Sequence, residues 1–237
     1  KSKDRQADAW RPSALLQGQL TAQGEPIARE GGADNFWPRP ARVVGATVIV
    51  DDKELVLAAL DADGELVDTF RCRWLLTNIR QRRDGGGPSQ LDTQRKLNEL
   101  ERLSRFLDDS GCEVIALGAC DLLSRKFKDE LESVAFGMAI EERYAESGGH
   151  EFAQAYYKSS ARRDDDNPIP DVANIQRVEI EPLLRFRVLL TDEAVPRLWA
   201  VTKAAEDELQ EQSEPSRIAI SSARLLQEPL VEVAHCL

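Results

Sequence analysis

Apolar positions along the chain alternate between two spacings, and each switch marks an element. Val43-Val44-Gly45-Ala46-Thr47-Val48-Ile49-Val50 is an apolar run of strand length, rich in β-branched residues. Asp51-Asp52-Lys53 predicts a turn, and Leu55-Val56-Leu57-Ala58-Ala59-Leu60 a second strand. Asp61-Ala62-Asp63-Gly64-Glu65 predicts a hairpin turn in which Gly64 takes positive φ, followed by a third strand from Leu66 to Phe70. Consecutive strands joined by turns this tight form an antiparallel meander.

The spacing then lengthens to three and four residues. Leu97, Leu100, Ser104 and Leu107 mark one face of a helix from about Leu91 to Leu107, with Leu103 beside it. Cys112 to Gly118 predicts a buried strand which, because it follows a crossover helix, runs parallel to its neighbour. Leu122, Leu123, Phe127, Leu131 and Val134 place a second helix over roughly Asp121 to Glu142. Arg185 to Leu190 is the last strand, and Thr191 or Asp192 caps a helix holding Leu198, Trp199 and Val201. Pro215 opens a helix with Ile218, Ala219, Ser222, Leu225 and Leu226 on one side. That face is expected to lie on the sheet, over Val44, Ala46 and Val48 or over the alternate set, with Ala219 and Ser222 small enough for close approach. Pro229 breaks the helix, and Leu230, Val231 and Val233 continue as a short one.

Two stretches lack this periodicity. Residues 1–40 carry Gly24, Pro26, Gly31-Gly32, Pro38 and Pro40 and are expected to be a linker or N-terminal extension, pinned by Trp10, Phe36 and Trp37. Residues 41–237 form the domain, with a flexible insertion at about 145–176 that includes Asp164-Asp165-Asp166. The order β-β-β-α-β-α-β-α predicts an α/β fold with ribonuclease H-like connectivity. It has a mixed five-stranded sheet, the first three strands antiparallel, flanked by helices.

Composition narrows the function classes. A hydrophobic share of 42% supports a real core, whereas a formal net charge of −11 opposes generic binding to a phosphate backbone. No apolar run approaches the ~18–20 residues of a membrane span, so no membrane role is expected. The chain begins Lys1-Ser2-Lys3-Asp4-Arg5 with neither initiator Met nor apolar stretch, which suggests an excised fragment without a signal peptide. Cys72, Cys112, Cys120 and Cys236 form no CxxC pair, and His150 and His235 are too few for a Cys/His zinc site. The cysteines are expected to be reduced, mostly buried thiols.

Particular segments carry a resemblance. Val43-Val44-Gly45, Leu57-Ala58 and Gly64-Glu65 followed by Asp68 resemble a first hairpin, and Cys112 to Gly118 a fourth strand, of one domain family. The most specific stretch runs from Pro215 to Ala234, with its Pro, Ser-x-Ala-Arg, Glu-Pro-Leu and Glu-x-Ala pattern at Pro215, Ser221 to Arg224, Glu228 to Leu230 and Glu232 to Ala234. Together they resemble the YqgF-type, ribonuclease H-like domain of the Suppressor of Ty six family of transcription elongation factors and histone chaperones, with bacterial Tex more distant. The resemblance covers about Arg42 to Leu237 apart from the insertion. It implies a nuclear, chromatin-associated role without cofactor. The implied partners are the RNA polymerase II elongation complex, histones or the nucleosome, and neighbouring domains of the same protein.

Catalytic ribonuclease H-like relatives hold two divalent metals with carboxylates from strand one, strand four and a C-terminal helix. The position matching the first ligand is Thr47, a degenerate one, because a hydroxyl cannot replace a charged ligand. Asp51 and Asp52 fall in the turn, Asp121 suits a helix cap, and Arg217 to Ser222 offers no acid. The expectation is therefore a pseudo-nuclease, a non-catalytic domain without catalytic or metal residues. The alternative is a metal-dependent nuclease of the YqgF or Holliday-junction resolvase type. Ser221-Ser222 near His235 lacks a nucleophile elbow, and Gly85-Gly86-Gly87 lacks the Lys-Ser/Thr of a phosphate loop. Arg71, Arg73, Arg80, Arg82 and Arg83 admit two readings: a solvated face pairing with the protein's own acids, which is preferred, or a contact with an acidic partner or weakly with nucleic acid. Trp74 among them is expected to be core or interdomain packing.

Overall fold

A computed structural model describes residues 42–77, 89–145, 148–160 and 183–234. The three apolar runs form β1 (Val43–Ile49), β2 (Glu54–Leu60) and β3 (Leu66–Cys72). They are followed by α1 (Gln90–Ser110), β4 (Val114–Gly118), α2 (Leu122–Arg143), α3 (Gly149–Ser160) and β5 (Arg187–Thr191). The chain then continues through α4 (Ala194–Ala200), α5 (Lys203–Glu208), α6 (Glu214–Gln227) and α7 (Pro229–Ala234). Among the described residues the sheet has five strands in the order β3-β2-β1-β4-β5. The β1–β2 and β2–β3 pairs are antiparallel, and β1–β4 and β4–β5 are parallel. This mixed α/β arrangement is consistent with a ribonuclease H-like fold.

Strand alternation sorts the core into two layers. Val44, Ala46 and Val48 of β1, with Leu55 and Leu57 of β2 and Ile115 and Leu117 of β4, pack towards α1 and α2 through Leu103, Phe106, Phe127 and Leu131. The opposite face carries Val43, Ala58, Leu60 and Ala116 against Ala219, Ile220 and Ala223 of α6. Of the two strand sets expected to receive the C-terminal helix, the structure therefore selects the alternate one. Ser213 caps α6 by accepting from the Ser216 N–H at 3.4 Å, and Pro215 sits in the first turn, where its missing N–H costs nothing.

The approach of α6 to β1 is unusually close because Gly45 has no side chain. A Cβ there would lie 1.7 Å from the Ala219 carbonyl oxygen and 3.0 Å from the Ala223 nitrogen. The helix face differs in detail from the expected one: Ile220, Ser221 and Ala223 are fully buried, whereas Leu225 and Leu226 are half-buried. A helix pressed this deeply against the sheet buries a wide band of its surface rather than one narrow stripe. Its C-terminal end is tied to the β2–β3 hairpin, where Arg224 Nε donates to Gly64 O at 3.0 Å and Gln227 Nε2 to Asp61 O at 2.8 Å. Gly64 has φ +81°, as its turn requires.

The polar segment after α2 begins with a helix that its composition does not announce. Gly149–Ser160 forms α3, which sets Tyr156 against Phe136 with ring centroids 5.0 Å apart. Gly137 of α2 leaves the space that the Tyr157 ring fills, since a Cβ there would lie 2.2 Å from the phenol oxygen. The aromatic anchors come too close together in sequence to show a helical period. Residues 161–182, with Asp164-Asp165-Asp166, lie outside the described residues, as do 1–40 with Trp10, Phe36 and Trp37.

Gly45→Ala is expected to destabilise the domain by about 3 kcal/mol or more, because helix and strand backbones must separate. Ile220→Ala should cost about 2–5 kcal/mol and half-buried Leu225→Ala distinctly less. Urea unfolding of the three variants checks the order, and a neutral Gly45→Ala would refute the close approach.

Candidate functional site

Thr47 lies near the end of β1, and the register pairs Ala46 with Leu117 of β4, so Thr47 and Gly118 stand one residue further along their strands. Both point to the side of the sheet that carries α4 and α6. Into this spot the β5–α4 connection delivers Glu193, whose residue exposure is 4%. Thr47 Oγ1 donates to Glu193 Oε1 at 2.6 Å. Arg197, one helical turn further on, donates to Glu193 Oε2 from Nε at 2.9 Å and from Nη2 at 2.6 Å. Gly118 is what admits the carboxylate to β4: a Cβ there would lie 1.6 Å from Glu193 Oε1.

Both oxygens of the carboxylate are thus engaged, and its charge is met by a guanidinium held in a two-point fork. A buried carboxylate without such partners would be costly. The donor set does not fit a two-metal centre. Glu193 is a single acid already neutralised by Arg197, and Thr47 uses its hydroxyl as a donor. Asp51 and Asp52 are exposed in the β1–β2 turn, and Asp121 caps α2, accepting from the Leu123 and Ser124 N–H groups at 2.8 and 3.0 Å. Among the described residues no group of three or more His, Cys, Asp or Glu gathers to hold a metal ion. Sequence reasoning named Thr47 but missed Glu193 and Arg197, which lie 146 residues away from it or more. Their only local signal is the four-residue spacing of an acid and a base at a helix start.

A second polar region sits at the end of β3. Arg73 Nε donates to Glu54 Oε1 at 3.2 Å, and Arg71 Nη2 to Ser213 Oγ at 2.6 Å. Glu99 of α1 accepts from the Arg73 N–H at 2.7 Å and the Trp74 N–H at 2.5 Å, anchoring the chain as it leaves the sheet. Trp74 is 38% exposed, not a core residue, with the Arg95 guanidinium 4.7 Å from its ring centroid. Arg80, Arg82 and Arg83 lie outside the described residues, as do Gly85-Gly86-Gly87 and His235. In their place the fold brings Arg95 and Arg102 of α1, seven residues apart and therefore on one helical face.

No protein-family model matches the chain. Two relatives from Arabidopsis thaliana do. The first, a Transcription elongation factor SPT6 homolog, is 26% identical over 175 residues, covering 74% of this chain and 8% of that protein. The second, described as Transcription elongation factor SPT6-like, is 25% identical over 181 residues, covering 76% and 11% respectively. These matches support an SPT6-related region. They meet the Suppressor of Ty six resemblance at the level of the parent protein rather than of the YqgF domain. This SPT6-related stretch spans only about a tenth of the length of either relative.

Two outcomes are expected. Gly118→Ala and Glu193→Ala should each destabilise the fold, but the double variant should lose less than the sum, because the new methyl group occupies space the carboxylate has vacated. A double-mutant cycle in urea should show about 0.5–3 kcal/mol of coupling, and strict additivity would contradict the contact. The second concerns Glu99, whose carboxyl burial pushes up from 4.5 against the opposing pull of the Arg73 and Trp74 N–H groups and the Arg102 charge. A raised folded-state value means that folding takes up protons. The stabilisation is complete below 4.5 and is lost as pH rises through the higher folded-state value. Stability relative to Glu99→Gln should therefore fall as pH rises across that window, and a difference that stays constant would exclude this reading.

Proposed function

We propose that this chain is a non-catalytic YqgF-type module of a transcription elongation factor. Similarity to two such factors across about three quarters of the chain carries this reading. In such a factor the module acts as a scaffold in the nucleus, on chromatin. It associates with the RNA polymerase II elongation complex, with histones or the nucleosome, and with neighbouring domains of its own protein.

The Thr47 cluster supports the non-catalytic part. Its single carboxylate is bound by Arg197, so the charge that a metal would neutralise is already compensated by a side chain. The rival reading, a metal-dependent nuclease, would need further carboxylates near Thr47, and Gly118, which lies against the same Glu193 carboxylate, has no side chain to supply one.

The expected result is no cleavage of a four-way DNA junction or an RNA hairpin in magnesium or manganese. Thr47→Asp should lower stability without producing activity, because it places a second carboxylate beside Glu193 in a buried site. Metal-dependent cleavage that disappears in Glu193→Gln would overturn the proposal.

A further inference from the structure

The end of β3, the turn after it and α1 enclose an open groove of about 390 Å³ lined by Glu54, Arg71, Arg73, Trp74, Arg95, Asn98, Glu99 and Arg102. Four arginines face two carboxylates, a surplus of two positive charges on a chain whose formal net charge is −11. Only part of this charge is used internally. Arg73 pairs with Glu54, and Arg95 lies 3.6 Å from the exposed carboxylate of Asp92. Arg71 and Arg102 make no ion pair among the described residues.

Two of the arginines are held in place before any ligand arrives. Arg95 lies over the Trp74 ring at 4.7 Å, and Arg102 over Phe70 at 5.3 Å. Phe70 is itself stacked on Phe106, with centroids 5.4 Å apart. A guanidinium resting on a ring keeps its N–H edges free and has already lost much of its rotamer freedom, so less entropy is lost when it grips an oxyanion.

We propose that this groove binds an acidic peptide segment of a partner protein. Discrete carboxylates on a flexible chain can meet the arginines one at a time and avoid Glu54 and Glu99. A nucleic-acid strand is disfavoured on two counts. Its continuous phosphate backbone would have to run beyond the groove over an acidic body. Its bases would also find Trp74 and Phe70 already roofed by guanidinium groups, leaving no stacking platform. On the β3 edge the Thr69 N–H is already taken by Asp68 Oδ1 at 2.7 Å, which removes one donor from strand addition there. The inference does not rest on the transcription reading, and either can fail without the other.

The test is fluorescence anisotropy with the whole 237-residue chain. The probes are a labelled oligo-aspartate peptide and a labelled oligouridylate of equal formal charge, each titrated over a range of salt. The peptide should bind with salt-sensitive affinity and more tightly than the oligouridylate. Combining Arg95→Glu with Arg102→Glu should weaken it by more than about tenfold, and Trp74→Ala by less. Arg105→Glu, on the same helix but outside the groove, should leave affinity unchanged. Urea unfolding checks each variant, with Arg95→Gln and Arg102→Gln taking over if charge reversal disturbs folding. No peptide binding, binding that survives the arginine substitutions, or tighter binding of the oligouridylate would overturn the proposal.

Discussion

The contact on which the rest of the structure depends is the one between the backbones of β1 and α6. At Gly45 the helix comes so near that the Ala219 carbonyl stands where a Cβ would be. That approach is possible only between residues with almost no side chain, and Ala219 and Ala223 meet the condition from the helix side. Once α6 is seated, its flanks determine what else can pack. Trp199 of α4 is buried with the Arg224 guanidinium 5.6 Å from its ring, and Arg224 also reaches the hairpin carbonyl of Gly64. The helix thus connects the central strand, the α4 layer and the outer hairpin.

The same economy of side chains shapes the polar cluster at the end of β1. Gly118 stays bare so that Glu193 can lie across β4, and Thr47 is short enough to reach it with a hydroxyl. The carboxylate has its charge matched by Arg197 and a hydrogen bond on each oxygen, which makes this corner an ion pair rather than an open ligand set. At the end of β3 the balance is reversed. There carboxylates serve as anchors for the turn after β3, while the guanidinium groups remain at the surface, steadied by aromatic rings.

Much of the architecture was legible from residue pattern alone. Runs such as Leu55 to Leu60 can be buried on both faces only as a central strand, and the short turns around Lys53 and Gly64 leave antiparallel pairing as the only connection. Asp121 and Pro215 mark helix starts by local chemistry, which acts within one turn and can therefore be read locally. Harder to read were α3, whose Tyr156 and Tyr157 make sense only beside Phe136 and Gly137, and the true buried face of α6. Of the two roles expected for Trp74, the structure excludes the core one: the ring is at the surface, where it supports a cation.

The sequence by itself determined the five strands and most of the helices, the antiparallel meander, and the absence of an acid at Thr47. These depend on local spacing, on turn length and on residue identity. Tertiary structure alone decided which face of β1 receives α6, that Glu193 is the acid meeting Thr47, and that Arg95 and Arg102 join Arg71 and Arg73 in one groove. Those outcomes rest on contacts between residues tens to more than a hundred positions apart. The energy of such a contact depends on where the folded chain places both partners, and no local pattern of either one records it.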